Sequence, residues 1–330
     1  VNSLISVIIP TRNRPQLLQR AVQSVLAQTL SAIEVVVVID GPDAHTREVL
    51  ADIADPRLRV VELATSGGAP RARNIGIAEA RSEWVALLDD DDEWLPEKLA
   101  LQLAAAQRST YASPIITCSL IARTPRADYI WPRRIPEPQE PISEYLLARN
   151  SLCRGEASIQ TSTLLAKREF MLQYPFKEDL LKHQDIEWAL RVGILDNVRI
   201  EFLSQPLVVH HIEDRSETVS SKHNWRYSLS WIQAHRHLVT PRAYAAFIMN
   251  RISAEAAKQG DWQAFAILLQ DALRFGKPQA IDLCIYLGLW LIPQEPRRRL
   301  RDLVMGHPHP PAPSPLKGEG GQEPLLSPLP

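Results

Sequence analysis

WVALLDDDDEW, Trp84 to Trp94, joins five apolar residues to five consecutive acids. A short run with no polar face suits a strand covered on both sides, as in a parallel sheet. The acids then fall at that strand's carboxyl end. Adjacent carboxylates repel one another, which costs stability unless a cation lies among them. Oxygen ligands are what Mg²⁺ and Mn²⁺ prefer, and Mg²⁺ commonly takes one or two carboxylates plus substrate phosphates. The plain alternative is a solvated acidic turn. The buried strand in front of the acids favours metal.

The flanking sequence repeats the pattern. LISVIIP (Leu4 to Pro10) and IEVVVVID (Ile33 to Asp40) are β-branched apolar runs, and LRVVEL (Leu58 to Leu63) is a third. Between the first two, Asn13 and Pro15 mark a helix start. Leu17, Leu18, Ala21, Val22, Val25 and Leu26 follow at helical spacing and form one apolar face. GGAPRARNIGIAEA reads as a Gly-rich turn entering a helix, and Pro96 to Arg108 as another helix. Strand and helix alternating at this spacing predict a doubly wound, mostly parallel α/β sheet. Ligands of such sheets bind outside the carboxyl ends of the strands. Thr11 and Arg12, Asp40, and Asp89 to Asp92 all sit at such ends.

The rest is less regular. Thr124 to Ser143 is Pro-rich and reads as a loop excursion. TSTLLAK (Thr161 to Lys167) and PLVVHHIED (Pro206 to Asp214) read as strands. HQDIEWALRVGIL reads as a helix beginning near Asp185. From about Glu217 to Leu303 the pattern is helical, in four helices. The Pro- and Gly-rich tail is expected to be disordered and without function. These shifts divide the chain into a nucleotide-binding half (1–110), an acceptor-binding half of the same domain (111–215), a helical appendage (216–305) and the tail (306–330).

A net charge of −1 gives no global electrostatic case for nucleic acid. Three dispersed cysteines give no disulfide framework and fit a reducing compartment. No signal peptide is read at the amino terminus, so a cytoplasmic location is expected. The apolar run Ile281 to Pro293 is shorter than the ~20 residues of a membrane span. Arg297 to Arg301 could touch anionic lipid at the inner face of the membrane; a solvated helix end is the plainer reading.

Individual residues carry weaker signals. Asp40 suits hydrogen bonding to a base or ribose, or simply organises the DGPD turn. Arg71 and Arg73 follow Gly67-Gly68 at a helix start, a reasonable diphosphate site. A lone Asp185 at a helix start is by itself usually an N-cap. His210 and His211 alternate faces on a strand, so at most one serves a shared site.

Together, SVIIPTRNRP, LQRAVQSVLAQT, IEVVVVIDG, GGAPRARNIGI, WVALLDDDDEWLPEKL and HQDIEWALR resemble, in order and spacing, the family 2 glycosyltransferases. The resemblance covers roughly residues 4 to 215. It implies a GT-A fold and an inverting, metal-dependent enzyme of the bacterial, non-processive type, active in cell-envelope polysaccharide synthesis. A nucleotide-sugar, most simply a UDP-sugar, would be the donor, and a glycan or lipid-linked hydroxyl the acceptor. The resemblance places Pro10, Thr11 and Arg12 at the nucleoside, with Arg12 replacing a frequent aromatic. It places Asp40 at the uracil edge, with Ile39 where a second Asp often stands, and Arg73 near the diphosphate. Asp89 and Asp91 match the DXD motif, with Asp90 between them on the donor side. Asp91 is then the direct ligand to Mg²⁺ or Mn²⁺, and Asp89 and His211 are further candidates. Asp185 matches the catalytic base, with Gln184 where a Glu often precedes it. The QxxRW element of processive synthases is not present. Two rivals stand beside this reading: a nucleotidyltransferase on a similar sheet, and a non-catalytic nucleotide-sugar or polysaccharide binder. A binder has no need of a base, which favours the enzyme.

Overall fold

The computed structural model describes residues 4–125, 127–152, 155–212, 224–293 and 296–297. The expectations for the tail after residue 306 and for Arg298 to Arg301 lie outside the described residues.

The first half follows the apolar runs. Strand β1 (Ile5–Thr11) is buried along its whole length, and β2 (Ile33–Ile39) nearly so. Both are rich in β-branched residues that pack well on a pleated surface. Helix α1 (Pro15–Leu26) lies between them, with Pro15 in its first turn and Leu18, Ala21, Val22 and Val25 turned inward. Helix α2 (Ala44–Ala51), which the sequence reading does not assign, is capped by Asp43 through the Thr46 amide. Then come β3 (Leu58–Glu62), α3 (Ala69–Glu79) and β4 (Trp84–Leu87). The order β3-β2-β1-β4 is parallel throughout. A Cβ on Gly76 of α3 would stand 2.3 Å from Ile8 and 3.0 Å from Val38. The missing side chain lets α3 lie close against the sheet, with Arg73 near the strand ends.

The second half is mixed. After the acid run come β5 (Glu93–Trp94) and α4 (Lys98–Arg108). Strand β6 (Ser113–Arg123) is long and has no counterpart in the sequence reading. The Pro-rich excursion is not all loop: β7 (Asp128–Trp131) pairs antiparallel with β6. Helix α5 (Ile142–Leu147) follows. A 3₁₀ turn at Thr161–Thr163 replaces the start of the expected strand, leaving β8 (Leu165–Lys167). Helices α6 (Arg168–Gln173) and α7 (Gln184–Gly193) precede β9 (Val198–His211). Strand β8 sits antiparallel between β4 and β6, and β9 runs parallel to β6. The sheet is thus parallel through the first half of the domain and mixed beyond it.

Four helical runs complete the described chain. Helix α8 (Trp225–Ala234) comes first. A continuous run follows: α9 (Pro241–Ala246), a π-helical segment (Phe247–Ile252) and α10 (Ser253–Lys258). Helices α11 (Gln263–Phe275) and α12 (Ala280–Leu291) end it. Their core of Trp231, Tyr244, Phe247, Leu268 and Tyr286 also takes in Leu147 of α5 and Leu190 of α7. The helical region is therefore packed on the second half of the sheet domain. No helix among the described residues is long and apolar enough to cross a membrane.

Candidate active site

The acid run does not stand as one repelling cluster. The chain leaves β4, turns, and is pinned again where Glu93 and Trp94 pair with Val209 and Val208 of β9. Each acid meets its own partner across that turn. Asp89 Oδ1 accepts from Arg73 Nη2 at 2.6 Å. Asp90 accepts from Thr11 Oγ1 at 2.8 Å and from Arg14 at 3.2 Å. Asp92 accepts from Ser162 and stands 2.8 Å from His210 Nδ1. Glu93 pairs with His211 at 2.6 Å and Arg20 at 3.2 Å. Protein cations and hydroxyls thus relieve much of the repulsion that the sequence alone assigns to a metal.

Asp91 is the exception. Arg14 reaches it at 3.0 Å, but 42% of its side chain stays exposed. Burial of its surroundings and the charges of Asp89, Asp92 and Asp90 push its pKa up to about 6. Burial also raises the pKa of Asp90. At His210 burial opposes the charge, but Asp92, Asp91 and Asp89 outweigh it and raise the pKa. The histidine facing the acids is therefore His210, while His211 turns to Glu93. No group of three or more His, Cys, Asp or Glu among the described residues is arranged to hold a metal by itself. The oxygen donors at Asp91 and Asp89 suit Mg²⁺ or Mn²⁺, with the remaining positions left to water or substrate.

At the end of β2, Asp40 is 4% exposed and faces the loop before α3. Its carboxylate accepts from Ser66 Oγ at 2.6 Å and from the amides of Gly67 and Gly68 at 2.7 and 2.9 Å. Burial opposes its charge, but these hydrogen bonds and the nearby Arg12 charge hold its pKa below the usual carboxylate value. Arg12 donates to the same Ser66 at 2.6 Å. Asp40 thus shapes the Gly67-Gly68 turn. A carboxylate has about four acceptor sites, so three bonds leave room for one more. Pro10 is buried at the end of β1, in register with Val38.

Asp185 is not an N-cap. The cap position of α7 is His183, held at φ +67° with no side-chain capping bond, so Asp185 lies inside the first turn. There its carboxylate faces the positive end of the helix dipole. Burial raises its pKa despite the opposing charge of Arg73. Arg73 is 6% exposed and links the two regions: besides Asp89 it approaches Gln184 Oε1 at 3.5 Å, while its Nε is buried without a partner. Burial works against the Arg73 charge, but Asp89, Asp185 and Asp90 keep its pKa raised. Asp185 also lines a cleft of about 830 Å³.

The structure brings Thr11, Arg73, Asp89, Asp90, Asp91 and Asp185 to one end of the sheet. Asp40, Arg12 and Ser66 form a neighbouring loop site. Sequence reasoning missed Arg14, Arg20, Ser162 and the His210 side of the histidine pair. The only local signal was the repetition of arginines in TRNRPQLLQR at the mouth of β1.

Comparison with known proteins fits this geometry. The sequence pattern of Glycosyl transferase family 2 matches residues 6–170. The amylovoran biosynthesis glycosyltransferase AmsB of Erwinia amylovora is 27% identical over 246 residues, 72% of this chain and 79% of that one. An Escherichia coli relative, the UDP-Glc:alpha-D-GlcNAc-diphosphoundecaprenol beta-1,3-glucosyltransferase WfgD, is 32% identical over 101 residues, 31% of this chain and 40% of that one. In two further relatives the matched stretch spans 58% and 52% of their length, little more than half. The structure of S. aureus TarS 1-349 in complex with UDP superposes with a TM-score of 0.51 at 18% identity, over 90% of this chain and 91% of that one. The fold is accordingly GT-A-like, and with the family pattern covering half its residues the chain belongs to glycosyl transferase family 2.

Proposed function

We propose that the protein is an inverting glycosyltransferase that moves one sugar from a UDP-sugar to a hydroxyl of a glycan or lipid-linked acceptor, in the synthesis of a cell-envelope polysaccharide. One observation carries this reading. Arg73 joins the acid run to the start of α7, so Asp185 and Asp89 share one cation at the carboxyl end of the sheet. A carboxylate of raised pKa lining a cleft beside a buried cation is the arrangement a general base uses. The names of the relatives support the substrate class: WfgD carries a UDP-glucose donor and a diphosphate-linked acceptor in its own.

Asp185 takes the proton of the acceptor hydroxyl, and its raised pKa makes it a better base than an ordinary carboxylate. The hydroxyl oxygen forms its bond to the anomeric carbon on the face away from the diphosphate. The bond from that carbon to the diphosphate oxygen breaks, and configuration inverts. Negative charge gathers on the leaving nucleoside diphosphate. Arg73 lies where it can meet that charge at no cost of reorganisation. Asp91, with Asp89 beside it, would hold Mg²⁺ or Mn²⁺, which would supply further positive charge against the leaving diphosphate. The loop held by Asp40 offers the uridine side its remaining acceptor site and the guanidinium of Arg12. A site of action at the inner face of the membrane accords with the exposed Leu287, Leu291 and Ile292 around the end of α12.

The test is a donor panel of UDP-, GDP- and dTDP-sugars with Mn²⁺, read by nucleoside diphosphate release. Release of UDP from one UDP-sugar supports the assignment. Binding of UDP-sugars without turnover under any acceptor mixture would make the protein a binder. Pyrophosphate release from UTP with a sugar phosphate would make it a nucleotidyltransferase.

A further inference from the structure

The cleft beside Asp185 has two dissimilar walls. One comes from the sheet domain and includes Trp131 of β7 and Gln160. The Nε1 of Trp131 and the Oε1 of Gln160 are buried, and among the described residues neither has a hydrogen-bond partner. Both atoms are enclosed, Trp131 Nε1 where a Cβ on Gly155 would stand 2.0 Å away, so they belong to the body of this wall and reach a ligand only after a side-chain shift. The other wall comes from the helical region and includes Arg251, Glu255 and Lys258.

The cations of this cleft are not equivalent. Lys182 is engaged: it pairs with Glu255 at 2.5 Å and donates to Ser228 at 3.3 Å. Arg251 and Lys258 are exposed, and among the described residues neither makes a hydrogen bond or an ion pair. Arg251 senses the charges of Asp185 and Glu255, yet burial of its surroundings still lowers its pKa. It lies in the π-helical segment Phe247–Ile252. Such segments are rare and are often found at functional sites. This one is held in place: Asn250 donates to the buried Asp282 at 3.0 Å, and Ser253 caps the Ile248 carbonyl at 2.9 Å. The segment interrupts an otherwise regular helix at the residue that meets the cleft.

We propose that this cleft is the acceptor site and that it selects an acceptor sugar bearing an anionic group, a phosphate or a carboxylate, read by Arg251 and Lys258. The inference rests on the glycosyltransferase reading of Asp185. Trp131 and Gln160 line the wall that the sugar ring would meet. Arg251 meets the anion in bidentate fashion, which a guanidinium does better than an ammonium. The same cation keeps the acceptor's negative charge from raising the pKa of Asp185 further. The helical region thus acts in specificity, not only as a support for the sheet domain.

The experiment is calorimetry on the full chain with saturating UDP and Mn²⁺, which keeps anionic probes out of the diphosphate position. The probes are methyl glucoside, methyl glucuronide and hexyl glucosyl phosphate. At least one anionic probe should bind about tenfold or more tightly than the neutral one, the scale of a charged hydrogen bond. Which one wins separates carboxylate from phosphate. Arg251→Gln should remove most of that advantage while leaving UDP affinity unchanged. Should Arg251→Gln fail to fold, Lys258→Gln on the exposed surface gives the same readout with a smaller loss. Equal binding of neutral and anionic probes would overturn the proposal, as would an advantage that survives in the double variant. Failure of UDP to bind would count against the donor reading instead, and the difference between native and Arg251→Gln affinities would still report on the cleft, because Arg251 lies outside the proposed diphosphate position.

Discussion

Arg73 Nη2 lies 2.6 Å from Asp89 Oδ1, and this contact ties helix α3 to the acid run. The same guanidinium offsets the charge of Asp185. Removing it acts in two places at once. In Arg73→Gln, transfer should fall by about 10²–10³, the scale of a lost oxyanion-type donor. The pKa of Asp185 should rise further without its cation. The acid limb of kcat/KM against pH should therefore move to higher pH. A variant with lower activity and an unmoved limb would show that Arg73 serves the donor alone.

Asp91 sets function against stability. Its folded pKa of about 6 lies above the ordinary carboxylate value, so folding disfavours its ionised form. Asp91→Asn should then stabilise the metal-free protein above about pH 6, by on the order of 1 kcal/mol once solvent screening of this exposed group is allowed for. The gain should fade as pH falls through 6 and vanish well below pH 4, where the carboxyl is protonated in both states. Donor turnover should be lost in the same variant. In the native protein the Mn²⁺ concentration for half-maximal activity should rise below about pH 6, because protons compete for Asp91. Melting curves and metal titrations at pH 5.5 and 7.5 check all three. Destabilisation by Asp91→Asn at pH 7.5, or turnover unaffected by excess EDTA, would contradict this account.

Asp40 has two roles that substitution can separate. Asp40→Ala removes three hydrogen bonds from the Ser66–Gly68 turn as well as any contact to the base. It should weaken UDP binding by roughly 1–3 kcal/mol and destabilise the fold by a similar amount. Ser66→Ala removes the bond to Asp40 and the one from Arg12 and leaves the carboxylate. It should cost about 1 kcal/mol of stability with little change in UDP affinity. Equal losses of UDP affinity in the two variants would assign the whole effect to the loop.

The parallel half of the fold was legible because its strands are short, mostly apolar runs, β-branched in β1 and β2, that end in polar residues. Strand β6 was not. SPIITCSLIAR is buried on both faces, so it shows no alternation, and its Ser, Thr and Cys residues blur the apolar run. The site was legible at strand ends, where an acid after an apolar run stands out. Its partners were not, because Arg14, Ser162 and His210 reach the acids from far along the chain. Asp185 looked like a cap because sequence boundaries of helices are uncertain by a residue or two. The start at His183 rests on a left-handed backbone that His seldom adopts. The π-helical segment has no local signature at all, since its extra residue is set by tertiary contacts.

Asp185 decides between catalysis and binding. It sits in the first turn of α7 rather than at the cap, so no helix hydrogen bond depends on its carboxylate as a cap. Asp185→Asn keeps the shape and removes the ability to take a proton. It also removes a partly buried charge whose pKa is raised by desolvation, the sign of a charge that folding disfavours. Stability should therefore hold or rise slightly near neutral pH. Single-turnover transfer should fall by about 10²–10⁴, the usual scale for a general base. UDP affinity should barely change, because the proposed donor contacts come from Asp40, Arg12, Arg73 and Asp91. In the native enzyme the rate should climb with pH through a range above that of an ordinary carboxylate, and this limb should be absent from the residual rate of the variant. Transfer near the native rate would remove Asp185 from the chemistry. A loss of UDP binding in step with the rate would instead make it part of the donor site, held there through Arg73.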